Sequence, residues 1–485
     1  MSTSNIGISG FAAYLPPYTV RLADWCDWTG DAWEKVKAVI GTTFRMSGPN
    51  ENAYTMAATA VLRLIRQYNV DPRSIGYLAL GTESSTDNSA GAIIVKGMVN
   101  DALAEHRLPQ LSRACEVPEF KHACLGGVYA LKAAFRYLAA DGQGRKAIVV
   151  CSDIAEYQRA SSGEPTQGAG AVALLVEESP RLLDVELGVS GSSSAYRGVD
   201  FRKPFQRFAE QTIGRFSQLK DFPVFNGKYS TTCYIDAVLG AMKDLFPRLT
   251  SAPSTFLKDV KAVFLHRPYQ RMAEMGLAVS YLLALAAGGA ADRAELASYA
   301  KSSGIDGDAL AQELTAQPAL YDLVRQQDIN ADVYPLATQA ARILRQLPVF
   351  GDLMTKLGAK RMGEVGNLYT ASLPAWMAAG FEEASLNAVP LAGERVLTVG
   401  YGSGDAAEVI PMQVVRGWEE AADKIQFSAA LSNARILDRR EYELLHDRSD
   451  LPNRRDAAGV FYIDYVGDRS NHFDDQGVEY YRYQA

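Results

Sequence analysis

The segment Glu119–Ala140, EFKHACLGGVYALKAAFRYLAA, constrains the rest of the chain more than any other. From Val128 onward its apolar residues fall on nearly every face of a helix, and a helix that is apolar all round has to be enclosed by other layers. Gly126 and Gly127, in its first turn, let a second backbone come close. The segment therefore predicts a layered architecture with this helix in the interior. Cys124 stands at the front of the predicted helix, where unpaired N–H groups and the positive end of the macrodipole favour a thiolate and lower the thiol pKa. Two readings of it stand side by side: a nucleophile, or a small buried hydrophobe of the kind that free cysteine commonly is.

A chain of 485 residues, 48% hydrophobic and 22% charged, has room for two or three domain-sized units and the composition of a globular protein. Its net charge of -7, with Lys and Arg scattered rather than striped, argues against nucleic acid as a partner. Cys26, Cys115, Cys124, Cys151 and Cys233 form no CxxC pair and none has a His at zinc-finger spacing, so neither a disulfide framework nor a metal site is expected. A reduced, cytoplasmic setting fits that cysteine usage. The N-terminal stretch MSTSNIGISGFAAYLPPY has no basic segment followed by a long apolar core, and no apolar run reaches membrane-spanning length. Neither a targeting signal nor a membrane partner is expected.

Periodicity predicts strands at Ile6–Tyr14, stopped by Pro16 and Pro17, and at Ile75–Leu80, Ala147–Val150 and Gly168–Glu177, with a helix at Tyr54–Tyr68. This alternation describes one α/β unit over residues 1–190. Residues 191–418 repeat the grammar, with a helix at Thr232–Phe246 and strands at Val260–Leu265, Arg395–Val399 and Ala407–Val415. Glu83 follows one buried strand and His266 follows its counterpart, at the sheet edge where open α/β folds hold ligands. The matching strand ends predict a duplicated unit with one site between its halves. An Ala-rich, charged helical insertion or cap is expected at 286–360, and an aromatic extension that packs on the body at 419–485.

Cys124 as a nucleophile needs a group to move protons and donors to hold an oxyanion; Glu83 and His266 are the candidates for the first task. A strand-end carboxylate taken alone also reads as a helix cap or an ion-pair partner. His122 reads as packing, and His106, His446 and His472 as surface residues. The turn Gly400–Ala406, GYGSGDA, has loosely the spacing of a dinucleotide loop, but that fingerprint opens its domain and this turn comes late. Its glycines suit backbone N–H groups that approach a ligand, as an oxyanion hole requires.

Eight motifs occur in order: GTESSTD from Gly81, HACLGG from His122, SDIAEY from Ser152, PTQGAGAVALL from Pro165, VDFRKP from Val199, HRPY from His266, GNLYTASL from Gly366 and YGSG from Tyr401. Together they resemble the 3-hydroxy-3-methylglutaryl-CoA synthase family. The resemblance implies a thiolase-like duplicated fold of five layers, αβαβα, usually a homodimer. It also implies an acyltransferase that condenses acetyl-CoA with acetoacetyl-CoA in the mevalonate pathway, with CoA thioesters as substrates and no metal or redox cofactor. Carried over by motif, Cys124 is the acetylated nucleophile, Glu83 the general acid/base, His266 the group that positions the acetoacetyl thioester and Asn367 its neighbour. Asp153, Thr166, Asp200, Phe201, Tyr369 and Ser403 are implied to line the site, with Ser403 and Cys124 supplying oxyanion N–H groups, and Arg271 to meet a CoA phosphate. Two departures stand out: Leu125 where the family usually has tyrosine, and Arg271 where it often has lysine. The alternative within the same resemblance is a synthase of polyketide β-branching that acts on acyl-carrier-protein thioesters, although HRPY and VDFRKP look closer to the CoA-dependent branch. A catalytically silent thiolase-fold protein is the other rival, against which Cys124, Glu83 and His266 together argue.

Overall fold

Strands enclosed on both faces read as continuous apolar runs, and those of this chain pair into one ten-stranded sheet in its computed structural model, which describes residues 5–85, 87–203, 222–354, 357–451, 458–469 and 473–485. A three-strand pattern occurs in it twice. Ile75–Gly81 runs parallel to Lys146–Ala155, which pairs antiparallel with Gly168–Glu178. In the second half Ala262–Leu265 runs parallel to Arg395–Gly402, which pairs antiparallel with Ala406–Val414. The short strand Leu183–Val185 joins the halves, bonding to Ile6–Tyr14 on one side and to Ala406–Val414 on the other.

The layers follow from what each helix covers. Gly126–Ala140 packs on Ile75–Gly81 and Lys146–Ala155 of the first half. Its opposite side meets the second half at Gly400, where a Cβ atom would collide with Leu125 and Val128. Ser372–Leu386 shares this middle layer, touching strands of both halves. Ala53–Gln67 covers the outer face of the first half, and Lys228–Leu245 covers that of the second. The result is the thiolase-like order αβαβα. The enclosed helix begins at Gly126, two residues after Cys124 rather than at it, and its last turn emerges, with Arg136, Ala139 and Ala140 exposed.

The region expected as an insertion is helical and continues the outer layer. Ala290–Ser302, Gly307–Thr315 and Pro335–Leu344 pack on Gln270–Ala286, burying Leu296, Leu310 and Leu344. The C-terminal hairpin Val460–Val466/Glu479–Gln484 lies on the Ala53–Gln67 helix. No helix among the described residues is long and apolar enough to cross a membrane.

Cys124 is brought to the strand ends by a chain of residues without side-chain bulk. A Cβ on Gly81 would penetrate the backbone of Gly127, and one on Gly127 would penetrate the Cys151 sulfur. Helix and strands are therefore in direct backbone contact beneath the site. Gly81→Ala must push them apart, at a cost of about 1–3 kcal/mol for overpacking a close-packed interior; the expected result is a lower Tm in thermal unfolding together with a change in the reactivity of the displaced Cys124 toward a thiol reagent.

Candidate active site

At the C-terminal ends of the two parallel strand pairs lies a cavity of about 200 Å³. Glu83 enters it from the end of Ile75–Gly81, Cys124 from the front of the central helix and His266 from the end of Ala262–Leu265. Phe201, Asn367, Tyr369 and Ser403 are part of its wall. Three of its lining residues, Ala123, Phe201 and Tyr369, hold positive φ of 41°, 44° and 46° without being glycine. This left-handed backbone costs roughly 1–2 kcal/mol per residue, and its concentration around one cavity marks a place where geometry is held against local preference.

Four residues expected in the site lie elsewhere, each for a visible reason. Asp153 is beneath the cavity, where Oδ1 accepts from Thr82 Oγ1 at 2.9 Å, Glu83 N at 2.8 Å, Ser84 N at 3.0 Å and Ser84 Oγ at 2.7 Å. Its Oδ2 accepts from Thr370 N at 3.0 Å and from Thr370 Oγ1. Asp153 therefore shapes the Glu83 loop and does not line the cavity. Thr166 spends its hydroxyl on the Gly163 carbonyl at 2.7 Å, and its own carbonyl accepts from Asn367 N at 3.0 Å, which makes it a support for Asn367. Asp200 is buried behind Phe201, near the Tyr401 hydroxyl at 3.1 Å. Arg271 lines a separate cleft of about 440 Å³ with Arg267 and Arg345, its guanidinium 3.7 Å from Glu274. The segment His266–Met272 borders both spaces, since His266, Pro268 and Met272 face the first and Arg267, Gln270 and Arg271 face the second.

Asn367 is oriented by what its amide oxygen accepts: Tyr369 N at 3.0 Å and Ser372 Oγ at 3.1 Å. That leaves the NH₂ group as the donor on the cavity wall. Leu125 packs under the Gly-rich turn, 2.7 Å from where a Cβ on either Gly400 or Gly402 would sit, so the side chain that replaces tyrosine is turned into the core. His122 rests edge-on against Tyr129 with ring centroids 5.6 Å apart, and exposed His106 rests edge-on against Tyr483. His446, expected on the surface, is buried: its Nε2 is 3.0 Å from the Tyr157 carbonyl and 3.1 Å from Gln167 Oε1. The helix Arg439–Arg448 that carries it packs against the back of the site wall, which its polar local sequence conceals. His472 lies outside the described residues.

The charges of the site also differ from the local expectation. Burial, and then the carboxylates of Glu83 and Asp153, push the Cys124 thiol well above its ordinary range, so the expected low-pKa thiolate is not the resting form. The helix dipole is weak here because the helix starts beyond the cysteine. Burial followed by the Asp153 charge raises the Glu83 carboxyl to about 8, offset in part by Lys203 and Lys121. Burial lowers the His266 imidazole to about 3. At neutral pH the cavity thus presents a thiol, a protonated acid and a neutral imidazole, a set suited to acyl transfer and proton transfer next to a carbonyl. Lys121, Lys203, Ser230 and Tyr401 also line the wall and were missed by sequence reasoning. Lys203 and Tyr401 lie inside quoted motifs, whereas nothing local marks Lys121 or Ser230.

Two family models, the N-terminal and C-terminal parts of hydroxymethylglutaryl-coenzyme A synthase, match residues 2–180 and 355–450, together more than half of the chain. The chain belongs to the hydroxymethylglutaryl-CoA synthase family. It is 27% identical over 439 residues to hydroxymethylglutaryl-CoA synthase A of Dictyostelium discoideum, which spans 88% of this chain and 79% of that protein. MvaS in complex with 3-hydroxy-3-methylglutaryl coenzyme A superposes with a TM-score of 0.76 at 27% identity, covering 99% of this chain and 100% of MvaS. The HMG synthase of the curacin biosynthetic pathway, in complex with holo donor-ACP, shares the fold at 20% identity and a TM-score of 0.67, covering 92% of this chain and 89% of that one.

For this family member the Glu83 shift has a stability signature. A carboxyl raised from 4.5 to about 8 binds more protons folded than unfolded across that window, so its contribution to stability is lost as pH rises through it. Glu83→Gln removes that loss: the Tm of the variant relative to the wild type should increase steadily from about pH 5 to about pH 9, and a pH-independent difference would show that Glu83 titrates as an ordinary exposed acid.

Proposed function

We propose that this chain condenses acetyl-CoA with acetoacetyl-CoA and water to 3-hydroxy-3-methylglutaryl-CoA and CoA, through an acetyl-Cys124 intermediate. The observation that carries the reading is the meeting of Cys124, Glu83 and His266 in one cavity at matching strand ends of a duplicated fold. In the first step the Cys124 sulfur attacks the acetyl-CoA carbonyl, the thiol proton goes to the departing CoA sulfur, and the acetyl group stays on Cys124. In the second, Glu83 first gives up its resting proton to solvent and then, as carboxylate, takes a proton from the acetyl methyl group; the enolate carbon bonds to the ketone carbon of acetoacetyl-CoA, and Glu83 returns that proton to the oxygen that the ketone becomes. Neutral His266, with Asn367 beside it, donates toward the acceptor's oxygens, and backbone N–H groups near Ser403 and Cys124 hold the enolate oxygen. Water then cleaves the Cys124 thioester. None of these steps calls on a metal or redox cofactor.

The cleft of Arg267, Arg271 and Arg345 beside the cavity suits the phosphates of CoA, since guanidinium groups bind phosphate through charge-assisted, paired hydrogen bonds. The chain's free cysteines support a cytoplasmic setting, and the likeness to hydroxymethylglutaryl-CoA synthases supports a homodimeric enzyme of the mevalonate pathway.

Labelled acetyl-CoA alone should mark one peptide containing Cys124 and leave Cys124→Ala unmarked; label on Cys115, Cys151 or Cys233 would relocate the site. Glu83→Ala should still become acetylated while condensation falls by at least the ~10²–10⁴ expected of a general base. Arg271→Ala should raise KM for acetoacetyl-CoA about tenfold with little change in kcat, as loss of one charge-assisted contact predicts. A preference of about a hundredfold in kcat/KM for acetoacetyl carrier protein over acetoacetyl-CoA would move the assignment to carrier-protein substrates.

A further inference from the structure

Behind the catalytic cavity lies a closed group of charges that the reaction above does not use. Asp200 and Asp405 are 1% and 3% exposed, and they share this space with the Cys233 thiol; ligand atoms of the three lie within 4.8 Å of one another. The positive charge there belongs to Arg197, whose Nε is 3.5 Å from Asp405 and whose Nη2 is bound to Asp236. One guanidinium already shared with a third carboxylate does not neutralise two more in an interior, so a proton is retained on the pair. Burial and the Asp200 charge hold the Asp405 carboxyl well above the usual carboxylate range.

Tyr401 links this group to the cavity. Its hydroxyl sits 2.9 Å from Asp405 Oδ1 and 3.1 Å from Asp200 Oδ2. Its ring belongs to the cavity wall and stacks on His266, with centroids 6.2 Å apart and planes 28° from parallel. Tyr234 meets Tyr401 edge-on at 4.9 Å and donates its hydroxyl to the His266 carbonyl at 3.2 Å. His266 itself has neither ring nitrogen hydrogen-bonded among the described residues. A working imidazole ordinarily has one nitrogen tied to a carbonyl or carboxylate, which sets its tautomer and its plane. Here the ring beneath it is what orients it.

We propose that the Asp200–Asp405 pair is a positioning device for His266: it anchors the Tyr401 hydroxyl, and the Tyr401 ring in turn holds the imidazole in the plane from which it meets the substrate. Asp405 acts through Tyr401 and touches no substrate, and Asp200 works one layer behind the wall. Asp405 is faced by Asp200, Arg197, Tyr401, Cys233 and the Gly404 N–H, with Asp236 and Tyr229 one contact further out. Removing the shared proton at high pH sets two carboxylates against each other and loosens the anchor. The inference rests on the reading of His266 as the group that receives acetoacetyl-CoA, and its first test uses no substrate.

Histidine labelled with ¹³C in the ring is followed by NMR against pH in the Glu83→Gln protein, which lacks the cavity's own titrating acid, with the His266 signal assigned by its loss in His266→Gln. The expected result is an inflection of that signal above about pH 6, absent when Asp405→Asn is added. In the otherwise native enzyme, Asp405→Ala should keep Cys124 acetylation while kcat/KM for acetoacetyl-CoA falls about tenfold or more, and the isosteric Asp405→Asn should restore most of that loss at neutral pH. An inflection that survives Asp405→Asn overturns the proposal, as does an Asp405→Ala enzyme that loses acetylation and condensation in parallel. If the NMR behaves as expected while the wild type ignores acetoacetyl-CoA, the positioning device stands and the proposed reaction is what fails.

Discussion

Six hydrogen bonds converge on the Asp153 carboxylate, from Thr82, from the backbone and side chain of Ser84, from the Glu83 backbone and from both donors of Thr370. A fully buried carboxylate carries a heavy desolvation cost, and donors saturating both of its oxygens are what make it tolerable. The donors come from opposite halves of the duplicated fold, so one carboxylate ties the loop that carries Glu83 to the loop that carries Asn367 and Tyr369. The rest of the site depends on that tie. It brings the Asp153 charge beneath Glu83, which adds to burial in keeping the Glu83 carboxyl protonated near neutrality.

Burial sets the charge state of Cys124, Glu83 and His266 in the cavity. A thiol, a protonated carboxyl and an uncharged imidazole are the forms that burial favours. In a space of this kind electrostatic interactions are strong, so a proton gained or lost by any of the three has a large effect on the others. The left-handed backbone at Ala123, Phe201 and Tyr369 belongs to the same economy of construction: geometry unfavourable locally is held by the closely packed layers around it.

The surroundings divide the work. The His266–Met272 segment lies between the cavity of Cys124 and Glu83 and a cleft lined by Arg267, Arg271 and Arg345. On another side the C-terminal helix backs the wall, with the Tyr442 hydroxyl on Glu164, Gln167 Nε2 donating to Tyr442 at 3.2 Å and His446 against Tyr157. The helix Arg439–Arg448 thus supports the site through Tyr157, whose ring meets Tyr369 edge-on.

Much of this was legible in the sequence, because burial on both faces writes itself as uninterrupted apolar runs. The strand Ile6–Tyr14 was placed to the residue, and Gly168–Glu178 and Ala406–Val414 to within one. The ordered motifs marked Glu83, Cys124, His266, Asn367, Tyr369 and Ser403, which the fold gathers around one cavity. What the sequence could not carry was depth and direction. Asp153 and Asp200 turn their carboxylates to donors that include distant segments, and Thr166 spends its hydroxyl on nearby Gly163 while its carbonyl holds distant Asn367. His446 sits in a stretch as polar as any surface helix and is buried only because that helix docks on the Tyr157 loop. The thiol of Cys124 shows the difference most directly: its place before an apolar helix is a property of sequence, but its protonation follows from the dielectric and the charges around it. Local order determined which residues could react and in what succession; only the tertiary structure decided which of them share a cavity and in what charge state, because both depend on contacts between residues far apart in the chain.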